Sequence, residues 1–487
     1  MGEGKAKAAK WRRQQGLTRE MPRQRFNLLA IGTRMSPSTL FSEEISYWSD
    51  EEERLLGLVF RDRTDDDFGW ILLARDRIGR FRCVDLTVDL RTPGYAAQGV
   101  RQRIADAIEA DEIPALGDQG DETNYSTDLL TVPAGTNPED LHPHFRILMD
   151  TPGRAPARAA LREIGPWLAP TDPHFVREFQ FSQFDQRMWE LYLWAAFRDM
   201  GFDVRQPEAP DFLCSRPGFK FTVEATTVTA SQQGPLANHP QPKTTEEMKA
   251  FLADYMPMKF GSSLTSKLNK KDKDGRNYWE RGEAARSPFV IAIADFHIPG
   301  GDGNVGSMTY TQSALWPYLY GHRVDYELIE GQLVTKASKG ADHVYGEKVV
   351  PTGFFDLPGA ENISAVLFSN AGTISKFDRM GVGAGFGAAD HRYFRFGLRL
   401  NPDPNAVEGD PFINEIEVGH DERWGEELQL FHNPTARNPL PKHCLPGVTE
   451  HYFRDGKPLS YSYGEPVLGS RTLLMHLVGD EKETLSV

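Results

Sequence analysis

Asp211 and Glu224 are the residues whose types and spacing could do chemistry in this chain. The segment PDFLCSRPGFKFTVEATT reads as a hairpin turning at Pro217-Gly218. With that turn, position 216 faces 219 and position 211 faces 224. Alternation along a strand then puts both carboxylates on one face, with Cβ atoms about 4.5–5.5 Å apart. Two like charges that close repel, so the arrangement asks for a cation, and carboxylate oxygens suit Mg²⁺ or Mn²⁺. The same alternation gathers Phe212, Cys214, Phe219, Phe221, Val223 and Ala225 on an apolar face. It leaves Asp211, Leu213, Ser215, Lys220, Thr222, Glu224 and Thr226 on a polar one. Pro-Gly suits a type II turn, whereas two-residue hairpins prefer primed turns, and a longer loop would shift this register.

A third carboxylate, Glu190, lies inside the apolar run WELYLWAAF. A charge there is costly unless it is paired or bound to a metal. Arg187, three residues earlier on the predicted helix, can pair with it. Alternatively, Glu190 points toward Asp211 and Glu224 and helps to hold the cation.

A helix with Glu190, a strand opening on Pro210-Asp211 and a strand carrying Glu224-Ala225-Thr226 together resemble the PD-(D/E)XK restriction-endonuclease-like superfamily. The resemblance covers 179–230 and could extend through the helix near Lys267 and the strand 288–297. It implies a central mixed sheet flanked by helices. It also implies that Asp211, Glu224 and Glu190 ligate one or two Mg²⁺ ions that activate water to cut a DNA or RNA strand. One departure matters. The lysine that the family places two residues after the second acid is Thr226 here. A threonine hydroxyl can orient the attacking water but brings no positive charge. Lys220, on the same strand face, or Lys259 or Lys267 from the following helix, are the available substitutes.

The expectation is a Mg²⁺-dependent (or Mn²⁺-dependent) nuclease of bacterial defence or genome maintenance, with Asp211, Glu224, Glu190, Thr226 and Lys220 in its site. The alternative is a catalytically inactive nuclease-fold binding or assembly protein, which the missing lysine and the net negative charge favour. A homodimer would suit double-strand cutting, and the N-terminal domain could serve a protein partner.

The rest of the chain must position these residues. Its 487 residues carry 39% hydrophobic and 25% charged side chains, the composition of an ordinary globular protein. Apolar runs such as SPFVIAIADF and ISAVLFSNA are strand-length, below the roughly 18 residues of a membrane helix. Three scattered cysteines, Cys83, Cys214 and Cys444, give no disulfide framework or thiolate zinc pattern. No apolar signal segment follows the start, so cytoplasm is the expected compartment. The net charge is −14, yet residues 1–25 hold eight Lys or Arg against two Glu. That stretch reads as a basic, disordered arm able to touch phosphates.

The fold class is α/β with α+β mixing, in four parts. Residues 1–25 are the tail. Residues 26–114 form a small α+β domain, with strands RLLGLVFRD, GWILLARD and FRCVDLTVDL and a helix over AAQGVRQRIADAIEAD. Residues 115–170, rich in Gly, Pro and Asp, read as a linker with one short helix near PARAALREIG. Residues 171–487 are the nuclease-like domain with a C-terminal extension. There QFDQRMWELYLWAAFRDMGF predicts a buried helix ending at Gly201. VDYELIEGQLVTKAS predicts a hairpin, and RMGVGAGFGAAD a mobile loop. The acidic RTDDDF reads as a solvated hairpin tip, since it lacks the spaced ligands of a calcium loop.

Overall fold

A computed structural model of the chain describes residues 16–34, 41–122, 126–169, 172–229, 236, 239–240, 242–296, 312–464 and 466–477. Of the basic tail, residues 1–15 lie outside the described residues. The described part of the tail begins at Gly16 and carries regular structure. Strand β1 (Arg19–Glu20) pairs with β2 (Ser42–Ser49), and α1 spans Arg23–Leu29. Arg19 and Arg25 both reach Glu53, at 2.8 and 2.6 Å. A basic run that reads as solvated is thus partly neutralised by an acid from a later turn.

Strands β3 (Leu55–Asp62), β4 (Phe68–Arg75) and β5 (Phe81–Leu90) complete an antiparallel five-stranded sheet in the order β1-β2-β3-β4-β5. Helix α2 (Pro93–Glu109) opens with Pro93 at its first position and Thr92 accepting from the Tyr95 amide, a standard cap. Its Val100 and Ile104 pack on Leu55, Val59 and Leu72. The opposite sheet face takes Phe26 and Leu29 of α1 against Leu56, Leu73 and Phe81.

Within 115–170, the stretch that reads as a linker, two helices pack into the main core. Helices α3 (Pro143–Asp150) and α4 (Ala155–Ile164) bury Phe145, Leu148, Leu161 and Ile164 in the main core, beside residues of the 184–228 region. Helix α4 is the short helix expected near PARAALREIG, whereas turn-rich composition hid α3. The stretch RMGVGAGFGAAD departs from expectation for a similar reason. Its first half is the end of a helix, Ile374–Gly383. A Cβ at Gly381 would stand 2.4 Å from the Pro156 carbonyl, so glycine permits that helix to seat on α4.

After α5 (Phe175–Phe181), the core of the molecule is built from α6 (Phe184–Asp199), β6 (Asp203–Arg205), β7 (Phe212–Arg216) and β8 (Phe219–Val228), with α7 (Thr245–Ala250), α8 (Met256–Asn269) and β9 (Phe289–Asp295) following. A π-helical turn at 251–255 joins α7 to α8, and Thr244 with Glu247 forms a capping box. Strands β6, β7 and β8 are antiparallel neighbours, whereas β8 and β9 run parallel. Helix α9 (Gln312–Tyr320) precedes the hairpin of β10 (His322–Ile329) and β11 (Gln332–Lys339), which turns at Glu330-Gly331, both with positive φ. A second hairpin joins β12 (His343–Tyr345) to β13 (Lys348–Val350). Strands β14 (Ala365–Phe368), β17 (Gln429–His432), β18 (Thr449–Arg454) and β19 (Lys457–Tyr461) extend the main sheet to eight strands, in the order β19-β18-β17-β14-β9-β8-β7-β6. Strands β15 (His391–Arg399), β16 (Asp410–Glu415) and β20 (Val467–His476) make a separate sheet. The molecule is therefore mixed α/β, with a large mixed sheet.

Both faces of the main sheet are covered. Val290, Ala292 and Ala294 of β9 join the core with α6, while Phe289, Ile291 and Ile293 join a second core with Met258, Phe260 and Leu264 of α8. That explains why SPFVIAIADF is continuously apolar. If 115–170 belongs to the core, Phe145→Ala, which empties a fully buried ring site, should destabilise the protein by about 3–5 kcal/mol. Denaturant unfolding followed by tryptophan fluorescence measures this, and a change below about 1 kcal/mol would return the segment to the status of a linker.

Candidate active site

The register of the β7–β8 hairpin runs from Phe212↔Val223 to Arg216↔Phe219, with Pro217-Gly218 at the turn. Gly218 has φ +76, the left-handed value that a type II turn needs at that position. Asp211 thus stands one residue beyond the ladder, opposite Glu224. Its Oδ2 accepts a 2.7 Å hydrogen bond from the Ala225 amide. The carboxylate so satisfies the first β8 amide that β7 no longer reaches.

Phe212, Cys214, Phe221, Val223 and Ala225 enter the α6 side of the core, with Phe219 packed against it. The other face is not open to solvent. Thr222, Glu224 and Thr226 are buried under α8. Glu224 is 4% exposed, and α8 supplies its partner. Lys267 Nζ donates to Glu224 Oε1 at 2.6 Å. The Tyr278 phenol lies in the same field, held above its ordinary range by burial and then by Glu224, and its ring centre lies 5.9 Å from Lys267 Nζ.

Glu190 is buried on α6. Gln186, one helical turn earlier, donates to its Oε1 at 2.8 Å, and Arg187 to its Oε2 at 2.9 Å. Gln186 accepts in turn from the Thr227 hydroxyl at 3.1 Å, which ties α6 to β8. Arg187 pairs further with Glu178 and Asp172. The pairing that the spacing suggests for Arg187 and the approach of Glu190 to the other acids therefore coexist.

The electrostatics show that the three carboxylates share one field. Burial, then the charges of Glu224 and Glu190, hold the Asp211 carboxyl well above the usual range. Burial likewise raises Glu190, against the pull of Arg187. Burial alone would lower Lys267, but Glu224 and Asp211 raise it, so the ammonium stays charged. Around this point five acids (Asp172, Glu178, Glu190, Asp211, Glu224) face two cations (Arg187, Lys267). The excess negative charge and the acceptor-only oxygens fit a divalent cation, with Asp211 and Glu224 as the natural ligands and Glu190 beside them. The trio is not closed around a point. Among the described residues, the three acidic side chains with oxygens all within 4.8 Å of one another are Asp65, Asp67 and Asp89, at the tip of the N-terminal sheet.

Of the residues the sequence nominates, the structure brings together Asp211, Glu224 and Glu190, with Thr226 on the Glu224 face. Lys220 is elsewhere. It is exposed near the turn, opposite Ser215, four residues or about 13 Å from Glu224 along the strand. Lys267 occupies the place for a cation instead. Lys259 is buried near Asp295. Gln186 and Tyr278 escape the sequence reading. Gln186 had a signal, its position four before Glu190 on one helix face, whereas Tyr278 had none.

Comparison of the chain with known protein families, curated proteins and solved structures gave no match. Among the described residues, no helix is long and apolar enough to cross a membrane.

A carboxyl whose folded pKa lies above its unfolded value of about 3.9 binds its proton more tightly when folded. Its stabilising effect is present below that unfolded value and is lost as pH rises through the folded one. Asp211→Asn, which keeps an acceptor for the Ala225 amide, should therefore raise Tm in metal-free buffer at neutral and alkaline pH. It should give no gain near pH 4, and added Mg²⁺ should narrow the difference. A lower Tm for Asp211→Asn at pH 8 in EDTA would contradict this charge balance. Lys267→Met should have the opposite sign, losing about 3–5 kcal/mol by leaving Glu224 buried without its cation.

Proposed function

We propose that this chain is a metal-dependent nuclease that hydrolyses phosphodiester bonds in nucleic acid, built on a restriction-endonuclease-like core. The observation that carries the reading is the ammonium of Lys267 at 2.6 Å from Glu224, beside the Asp211 carboxylate. The positive charge absent at Thr226 is thus supplied from α8. The succession α6, β6, β7, β8, α8, β9 also follows the order that the resemblance implies, with the mixed sheet between two helical layers.

Asp211, Glu224 and Glu190 would hold Mg²⁺ or Mn²⁺, which when bound lowers the pKa of a water and offsets charge on the phosphate. The chain's own groups do the rest. Lys267 balances the carboxylates and stands where it can hold a water or a phosphate oxygen. Thr226 offers a hydroxyl on the same face. Gln186 and Arg187 fix Glu190, and Tyr278 lies beside the Lys267–Glu224 pair. Lys270, Lys271 and Lys273 lie exposed just beyond α8, a local positive surface for a phosphate backbone in a chain of net charge −14. A second reading, a binding module on the same fold, draws on the closed Lys267–Glu224 pair, which engages a carboxylate a metal would use.

Cleavage of plasmid DNA and of RNA, each with Mg²⁺ or Mn²⁺, separates the two. Wild type should cut, and Asp211→Ala, Glu224→Gln and Lys267→Met should each lose at least about 100-fold, the scale of a lost electrostatic or proton-transfer group. Equal rates for all four proteins would remove the site. Binding without cutting by wild type would favour the second reading.

A further inference from the structure

His391 opens β15 and His476 closes β20, on the three-stranded sheet that is separate from the sheet of the carboxylate site. The register pairs the two residues directly, so both imidazoles stand on one face. Their ring centres lie 4.8 Å apart, with the planes inclined by 28°. The surroundings hold this pair in place. The Leu477 amide, next after His476, donates to the Asp390 carbonyl at 2.7 Å. The His391 side chain is 7% exposed. A Cβ at Gly153 would stand 2.7 Å from its Cδ2, so glycine there makes room for the ring.

A carboxylate sets the tautomer of His391. Asp390 Oδ1 lies 2.8 Å from His391 Nδ1. That bond holds the Asp390 carboxyl below its usual range, and an ionised carboxylate can only accept. In neutral His391 the proton is therefore on Nδ1, and Nε2 bears the lone pair. Nε2 has no hydrogen-bond partner among the described residues and is open to water. A histidine backed by a carboxylate, with its other nitrogen free, is arranged as metal-ligating imidazoles are. The second ligand stands beside it. The His476 side chain is 60% exposed, and its Nε2 lies 3.5 Å from Asp390 Oδ2, too far for a good hydrogen bond. Nothing there prevents the ring from turning. Two nitrogens, each about 2.0–2.1 Å from one tetrahedral Zn²⁺, are about 3.4 Å apart. Rings centred 4.8 Å apart reach that separation by a rotation of His476. Imidazole suits Zn²⁺, whereas the oxygen ligands of the carboxylate cluster suit Mg²⁺.

We propose that His391 and His476 form a zinc site. His391 Nε2 and a ring nitrogen of His476 ligate the ion, Asp390 orients His391 from behind, and water completes the coordination. The ion ties the end of β20 to the start of β15. The site is independent of the carboxylate cluster and stands whether or not that cluster cuts nucleic acid.

Calorimetric titration of the metal-stripped full chain with zinc chloride, in buffer containing excess Mg²⁺, tests the assignment. Zn²⁺ should bind saturably at one site per chain and raise Tm. His476→Ala removes an exposed ring. It should weaken zinc binding at least tenfold and abolish the rise in Tm, while the Tm of the metal-free protein stays unchanged. Asp390→Ala should weaken binding about 10–100-fold, the scale of a lost partner behind a ligand. Asp211→Asn should leave it within twofold. The proposal is overturned if Zn²⁺ does not bind saturably, if His476→Ala or Asp390→Ala binds as tightly as wild type, or if Asp211→Asn abolishes binding.

Discussion

Strand β8 carries carboxylate charge into a sheet that is covered on both faces, and much of the surrounding architecture answers to that. Ala225 and Val223 need the α6 layer, while Glu224 and Thr226 face α8. An unpaired carboxylate at 4% exposure would be strongly unfavourable. The chain meets this by placing Lys267 two residues before the end of α8 and Tyr278 just beyond it. The π-helical turn at 251–255 fits this picture. It inserts a wider turn into the helical run that delivers Lys267, and such bulges recur beside functional sites. On the far side of β8, Glu190 is held by Gln186 and Arg187. The site therefore draws on both layers.

The N-terminal sheet is fixed to this body by directional contacts as well as by apolar packing. Arg75 bonds Glu163 at 2.9 Å, a carboxyl that burial raises and Arg75 opposes. Arg25 donates to the Ala384 carbonyl at 2.9 Å. The separate sheet of β15, β16 and β20 is anchored by another buried charge. Glu422, enclosed by Lys376, Arg379 and Arg395, is held well below the usual carboxylate range, because these three cations outweigh the burial that would raise it. Breaking such a cluster on one side strands the other, so it makes the relative placement of these elements specific.

Much of this was legible in the chain, and the rest was hidden for identifiable reasons. Period-two alternation and the Pro-Gly turn gave the β7–β8 register residue by residue, because one face is wholly apolar and a one-residue slip would invert it. The all-round apolar helix and the continuous apolar run of β9 were equally clear. Strand β2 escaped because SEEISYWS is half exposed and polar. Helix α3 escaped because Pro143 at its start and the turn-rich sequence around it read as a linker, whereas α4 was visible as the short helix near PARAALREIG. The identity of the cation at Glu224 could not be decided from spacing. Lys220, Lys259 and Lys267 were all admissible, and only the seating of α8 on the sheet distinguishes them. A cavity of about 660 Å³ lined by both arginines and acids was invisible for the same reason in stronger form. Asn27, Arg34, Arg198 and His420 come from three distant stretches of sequence, and no local pattern links them.

Helix α6 joins these two polar regions. Glu190 and Arg198 lie eight residues apart on it, about 12 Å along the axis. The helix is apolar nearly all round and packed on every side, so it has little room to tilt or bend. Trp189 pins it to β9 through a 3.2 Å bond to the Ala292 carbonyl, and Gln186 pins it to β8. At its other end Arg198 is held by carbonyls of the N-terminal region. The depth at which Glu190 meets Asp211 and Glu224 is thus fixed by contacts at both ends of one rigid rod. The N-terminal region is therefore part of what positions the carboxylates, although none of its described residues bonds them.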